Sequence, residues 1–114
     1  MDELIVQGKK LNQQFLESPE YLRYISARTR LKEQAEVYER LNDFRRRNFE
    51  LQNSDTESNL FDELTGLSKE YADILNLEIV NEFLTAEQRV CRMLRSLYET
   101  MSDGIEFDFE YLER

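Results

Sequence analysis

Apolar residues recur at helical spacing along most of this chain. From Leu77 to Met101 neither Gly nor Pro interrupts a stripe of Val80, Phe83, Leu84, Val90, Cys91, Leu94, Leu97, Tyr98 and Met101. The stripe is wider than a two-position coiled-coil seam, so it predicts burial against two neighbours. A helix of that length runs about 38 Å. A compact globule of this chain length has a radius of gyration of only about 13 Å. The stripe therefore needs a long antiparallel neighbour, a second copy of the chain, or a different protein. Gly104 is predicted to stop the helix from the left-handed position that follows Asp103.

The rest of the chain reads in the same period. Leu4, Gly8, Leu11 and Phe15 share one face of a first helix over Asp2 to Glu17. Ser18-Pro19 punctuates the chain. Ser18 suits an N-cap, Pro19 the first helical position, and Glu20 the positive end of the dipole. Pro19 to about Gln52 holds no further breaker, and Val37, Leu41, Phe44 and Leu51 carry its later apolar pattern. The face shifts around Lys32-Glu33-Gln34, which places a break there. Glu36 and Arg40 sit one turn apart in support of the helix, whereas Glu39 near Asp43 is mildly unfavourable. Asn53 to Asn59 is polar and reads as a loop. Leu60 to Leu75 forms a further helical unit, and Asn76 is expected to cap the last helix.

After Gly104 the period changes from 3.6 to 2. Ile105, Phe107, Phe109 and Tyr111 alternate with Glu106, Asp108 and Glu110. Alternation suits an extended segment with one buried face. Two readings stand: a strap across the chain's own helices, or an exposed aromatic edge that a partner covers.

Composition narrows the class. The chain has 114 residues, with 40% hydrophobic and 34% charged residues, 3 Gly and 1 Pro. That is one soluble domain with too few turn residues for an all-β fold. No apolar run approaches the ~18–20 residues of a membrane span. Met1-Asp2-Glu3-Leu4 lacks the basic start of a signal peptide, so the expectation is a cytoplasmic protein without membrane attachment. The net charge of −9 disfavours direct contact with nucleic acid or anionic lipid. Charge is uneven, however. Basic residues prevail between Tyr21 and Phe49, with Arg45-Arg46-Arg47 in a run, and acidic residues prevail from Asp103 onward. Solvated helix faces account for this; the sharper alternative docks the tail or an acidic partner on the arginine run.

Candidate chemistry is sparse. The chain has no histidine, which removes Ser-His-Asp and Cys-His catalysis and the Glu-x-x-His metal pairs of helical bundles. Asp55, Glu57 and Asn59 imitate a calcium loop, but Leu60 stands where that loop needs Gly and Gly66 where it needs Glu. Gly8-Lys9-Lys10 lacks the upstream Gly and following Ser/Thr of a phosphate loop. A single cysteine excludes an internal disulfide. Cys91, mid-stripe, reads as a small core hydrophobe, with a shared ligand or redox thiol as the alternative. The tyrosines read as core or interface anchors. No catalytic, cofactor or metal site is predicted. The rival readings are a small all-helical enzyme gripping an anionic substrate through Arg28 and Arg40, and an RNA-processing accessory protein contacting RNA through Arg45, Arg46 and Arg47.

The run from Asn76 to Leu94 (Asn-Leu-Glu-Ile-Val-Asn-Glu-Phe-Leu-Thr-Ala-Glu-Gln-Arg-Val-Cys-Arg-Met-Leu) resembles the C-terminal helix of the YlbF/YmcA family of small bacterial helical regulators. Val37 to Arg45, the Ser18-Pro19-Glu20-Tyr21 helix start and the acidic-aromatic tail are similar as well. The resemblance implies an all-α domain that self-associates and acts as a non-enzymatic adaptor. Its better-known members belong to a complex that affects competence, sporulation, biofilm formation and RNA processing through an endoribonuclease. Some share iron–sulfur clusters through a cysteine-rich tail; with Cys91 alone, this chain departs from them. No catalytic residue carries over. Phe83, Leu84, Glu87, Val90, Cys91 and Leu94 carry over as packing or contact residues. With Tyr98, Phe107 and Phe109 they form the expected interface.

The combined expectation is an elongated all-α bundle of four to five helices with long antiparallel arms and a short extended C-terminal tail. It forms one domain over residues 1–114: N-terminal helices over 1–52, a loop over 53–59, C-terminal helices over 60–103 and a tail over 104–114. The expected state is a homodimer, with other members of a regulatory complex as further partners.

Overall fold

The computed structural model describes residues 2–54 and 59–113. Within them the fold is all-α, with no strand. Six helices follow in order: α1 (Asp2–Leu16), α2 (Pro19–Glu33), α3 (Ala35–Gln52), α4 (Leu60–Glu70), α5 (Ala72–Leu75) and α6 (Glu78–Ser102). A 3₁₀ turn, Glu110–Leu112, lies in the tail.

Local chemistry accounts for most of the boundaries. Ser18 Oγ accepts from the Tyr21 amide at 3.3 Å and donates to the Phe15 carbonyl at 2.6 Å. One hydroxyl thus closes α1 and opens α2, with Pro19 in the first turn. The expected break between α2 and α3 falls at Gln34, whose backbone (φ −96°, ψ 75°) leaves the helical region. Gly104 takes the left-handed conformation at φ 84°. The Ile105 amide then reaches back to the Ser102 carbonyl at 3.0 Å and ends α6.

Three expectations are corrected. The unit from Leu60 to Leu75 is interrupted at Tyr71 (φ −107°, ψ 17°), the residue whose side chain α3 holds. Asn76 does not cap α6. It remains helical at the end of α5, and extended Leu77 takes the N-cap position without a side-chain acceptor. Asn81 instead donates to the carbonyls of Leu75 and Leu77 at 3.2 and 3.0 Å. The tail is not a strap with a buried face, because Ile105, Phe107, Phe109, Tyr111 and Leu112 are all exposed. The calcium-loop residues Asp55 and Glu57, with most of the expected loop, lie outside the described residues.

The molecule is flat and long, with extents of 50 × 45 × 16 Å and a radius of gyration of 19.2 Å, against about 13 Å for a compact chain of this size. α6 lies along α2, and α4 and α5 pack on α3. Ala27, Leu31, Leu41, Leu67, Tyr71, Ile74, Val80, Phe83 and Ala86 form the buried core. Among the described residues, α1 contributes nothing to it.

Candidate association surface

The stripe of α6 divides into two halves with different fates. In the first, Val80, Phe83 and Ala86 are buried, and the Phe83 ring stacks on Tyr24 of α2 with centroids 5.7 Å apart. The Arg45 guanidinium of α3 lies over the same ring, 5.6 Å from its centroid. Beyond Val90 the helix outruns α2. Leu94 is 57% exposed, Tyr98 70% and Met101 62%. Among the described residues, α1 lies beside this half. The order of contacts reverses along the chain: α1 faces residues 94–101, whereas Arg30 of α2 pairs with Glu82 at 3.2 Å. The α1–α2 arm and α6 are therefore antiparallel. Their separation at the far end leaves an apolar groove of about 440 Å³, lined mainly by Leu11, Phe15, Leu94, Leu97, Tyr98 and Met101. Leu4, Ile5 and Val6 extend exposed apolar surface along α1.

The opposite end is polar and closed. Arg45 Nη2 donates to both oxygens of Glu87, at 2.7 and 2.9 Å. Arg46 pairs with Asp43. Arg47 donates to Glu70 and to the Tyr71 hydroxyl, both at 3.0 Å. Arg40 pairs with Asp73, and the guanidinium groups of Arg40 and Arg47 lie 5.1 and 5.6 Å from the centroid of the Tyr71 ring. The arginine run is thus engaged by acids of α3, α4 and α6. Each arginine of the run therefore has an acidic partner within its own chain. The two arginines of the enzyme reading also part company: Arg28 lies over Tyr24, while Arg40 sits among Glu36, Glu39, Asp43 and Glu70, surroundings that repel an anion.

Tyr71 donates its hydroxyl proton to Asp43. That bond, helped by Arg46, Arg47 and Arg40 against some desolvation, holds the Asp43 carboxyl below its ordinary value of 3.8. The hydrogen bond to Glu70, then that to Tyr71, raises Arg47 above its ordinary range. A depressed carboxyl contributes stability above its unfolded pKa and loses that contribution as pH falls through the folded value. Thermal melts of wild type and Asp43→Asn are therefore expected to differ at neutral pH, with wild type the more stable. The gap should close as pH drops below about 4. A gap that is constant with pH would contradict the coupling.

The model of the YlbF/YmcA family, described as control of competence regulator ComK, matches residues 4–106. This chain belongs to the YlbF/YmcA family. No curated protein and no solved structure matches it significantly. The match takes in α1 and all of α6, so both walls of the groove lie inside the family region.

In this YlbF/YmcA protein the residues expected at an interface fall into three groups. Phe83 is buried in the chain's own core and is unavailable to a partner, packed against Tyr24 of α2 and Arg45 of α3. Leu84, Glu87 and Val90 are half-buried; Leu84 packs on the core and Glu87 is held by Arg45. Leu94, Tyr98, Phe107 and Phe109 are exposed. Cys91 is exposed too, which corrects its reading as a core residue: it sits at the rim of the stripe beside Arg92 and Arg95. Sequence reasoning omitted the α1 wall from the site, although the spacing of Leu4, Gly8, Leu11 and Phe15 carried the signal. The tie between Tyr71 and Asp43 had no such signal, since it joins residues 28 apart.

Proposed function

We propose that this YlbF/YmcA protein is a non-enzymatic regulatory adaptor that works by association of copies, as a homodimer, through the face shared by α1 and the distal half of α6. The observation that carries the reading is the contrast within one helix: the same apolar stripe is covered by the chain up to about Val90, and beyond it Leu94, Tyr98 and Met101 are exposed while Leu97 is half-buried. Exposed apolar surface of this extent marks an association site. Each Å² of it removed from water contributes about 25 cal/mol, although area alone does not set affinity. The regulatory assignment of the family supports the same reading, as do the acidic partners of Arg40, Arg45, Arg46 and Arg47 within the chain. Cytoplasmic action alongside other members of a regulatory complex completes the proposal. No helix among the described residues is long and apolar enough to cross a membrane.

The test is sedimentation equilibrium of wild type and Leu94→Asp. Wild type is expected to sediment as a dimer. A carboxylate forced into the buried centre of the contact should weaken it by about a hundredfold or more. Far-UV circular dichroism should be unchanged, because Leu94 supports no part of its own chain's core. A monomeric wild type, or a Leu94→Asp variant that dimerises normally, would overturn the proposal.

A further inference from the structure

An open cleft of about 490 Å³ follows the seam where α2 and α6 pack. Ala27 and Ala86, both buried, form its floor. We infer that this cleft binds a small phosphate-bearing molecule, with the phosphate held between Arg23 of α2 and Arg89 of α6. The cleft shares no lining residue with the apolar groove, so the inference stands apart from the association proposed above.

Register gives the reason. Arg30 of α2 pairs with Glu82 of α6 across the seam at 3.2 Å. The two helices are antiparallel. A step of two turns back along α2 and two turns on along α6 therefore sets Arg23 against Arg89, and both line the cleft. The first rung joins opposite charges, whereas the second brings like charges together, which repel. Among the described residues neither guanidinium has a hydrogen bond or an ion pair. The positions one turn from Arg89 are Thr85, Ala86, Arg92 and Met93, none of them acidic. One turn from Arg23 the single acid is Glu20, and among the described residues it makes no ion pair with that arginine. An anion between the two guanidinium groups turns their repulsion into a shared attraction.

The donors select the class of anion. Two guanidinium forks offer more N–H groups than the two oxygens of a carboxylate can use, whereas a phosphate monoester presents three terminal oxygens. Thr85 lines the cleft one turn before Arg89. Its hydroxyl has no hydrogen bond among the described residues and supplies a further donor. The rest of the cleft has room for the body of the molecule. From Arg89 back to Glu82 the α6 wall covers about 10 Å, over the alanine floor. Glu82 and Glu78 lie at that far end, where their carboxylates accept hydrogen bonds. A phosphate at one end and hydroxyl or amino donors at the other, as in a nucleoside monophosphate, fit this order.

The net charge of −9 opposes any anion at long range, but salt screens that field over about 8 Å. Within this distance the arginines prevail. Glu82 is already paired with Arg30, and Glu78 stands about 16 Å along the helix from Arg89.

NMR titration of the whole chain at fixed ionic strength tests the inference, with inorganic phosphate, adenosine monophosphate and adenosine as probes. Phosphate and the nucleotide should give saturable shifts at Thr85 and at the side chains of Arg23 and Arg89, with the nucleotide several-fold tighter. Adenosine should give none. Arg89→Glu sets a carboxylate against Arg23 and repeats the Arg30–Glu82 rung. It should melt no lower than wild type, yet bind the nucleotide about tenfold more weakly or worse. Arg23→Gln removes the other half of the clamp without adding an acid and should also weaken binding several-fold. Absence of saturable shifts at these residues in wild type would overturn the inference, as would unchanged affinity in both variants. Adenosine that binds as tightly as its monophosphate would overturn the role of the phosphate, and equal affinity for phosphate and nucleotide would overturn that of the alanine-floored half.

Discussion

Phe83→Ala is expected to destabilise the chain by about 3–5 kcal/mol, the usual cost of truncating a buried aromatic. The residue is 4% exposed and packs against the Tyr24 ring of α2 and the Arg45 guanidinium of α3. Its loss opens a cavity where three helices meet and removes the surface over which Arg45 reaches Glu87. A buried core this small has little to collapse into the space. On the scale of about 4–8 °C per kcal/mol for a domain near this size, the midpoint should fall by well over 10 °C. Leu94→Ala, eleven residues along the same stripe, should leave the melt of the isolated chain almost unchanged. Association stabilises the folded state by mass action, so both melts belong at high dilution, where the chain is monomeric. Equal destabilisation by the two alanines would mean that the distal half is internal core after all, and the division of α6 would be wrong.

Tyr71→Ala is expected to be as severe, at about 3–5 kcal/mol, for a different reason. Tyr71 is 5% exposed and lies at the joint of α4 and α5. It packs on Phe44 with centroids 5.5 Å apart, lies beneath Arg40 and Arg47, and bonds Asp43 through its hydroxyl. Removing the ring takes away the main packing of the α4–α5 unit against α3. Tyr71→Phe keeps the ring and deletes only the hydroxyl, so it should retain most of the stability. It should also abolish most of the acid-linked difference between wild type and Asp43→Asn. Chemical denaturation followed by helicity separates the cases: a large loss for Ala and a small one for Phe is the expected order. Similar losses for both would place the weight on the polar contacts instead.

The legible and illegible parts of this fold differ in the range of the forces behind them. Ser18-Pro19, Gln34 and Gly104 act on their neighbours by capping, by a shift of helical face or by positive φ, and each marks the boundary expected of it. The period of α6 likewise shows that one face avoids water. It does not show what covers that face. Phe83 and Leu94 are alike in spacing, yet one is core and the other bare, because α2 extends far enough to reach the first and not the second. Cys91 was misplaced for the same reason. The interruption at Tyr71 follows from a grip exerted by α3 and has no local breaker to announce it. Alternation in the tail allows either a strap on its own helices or an exposed aromatic edge, and the exposure of its rings rules out the strap. The groove is partly visible in the sequence: Leu94 and Tyr98 of its α6 wall are expected contact residues, whereas Leu97, Met101 and the α1 wall are legible only as helix faces.

One consequence follows from α1. A single helix of 15 residues is marginal in water without tertiary support, and among the described residues this one lends no side chain to the core. Its order in solution thus draws on whatever lies against it. Solitary molecules should fray from that end, with rapid amide exchange and early cleavage by proteases, while assembled ones resist both. The lifetime of the regulator would then report its state of assembly, with surplus copies the first to be degraded.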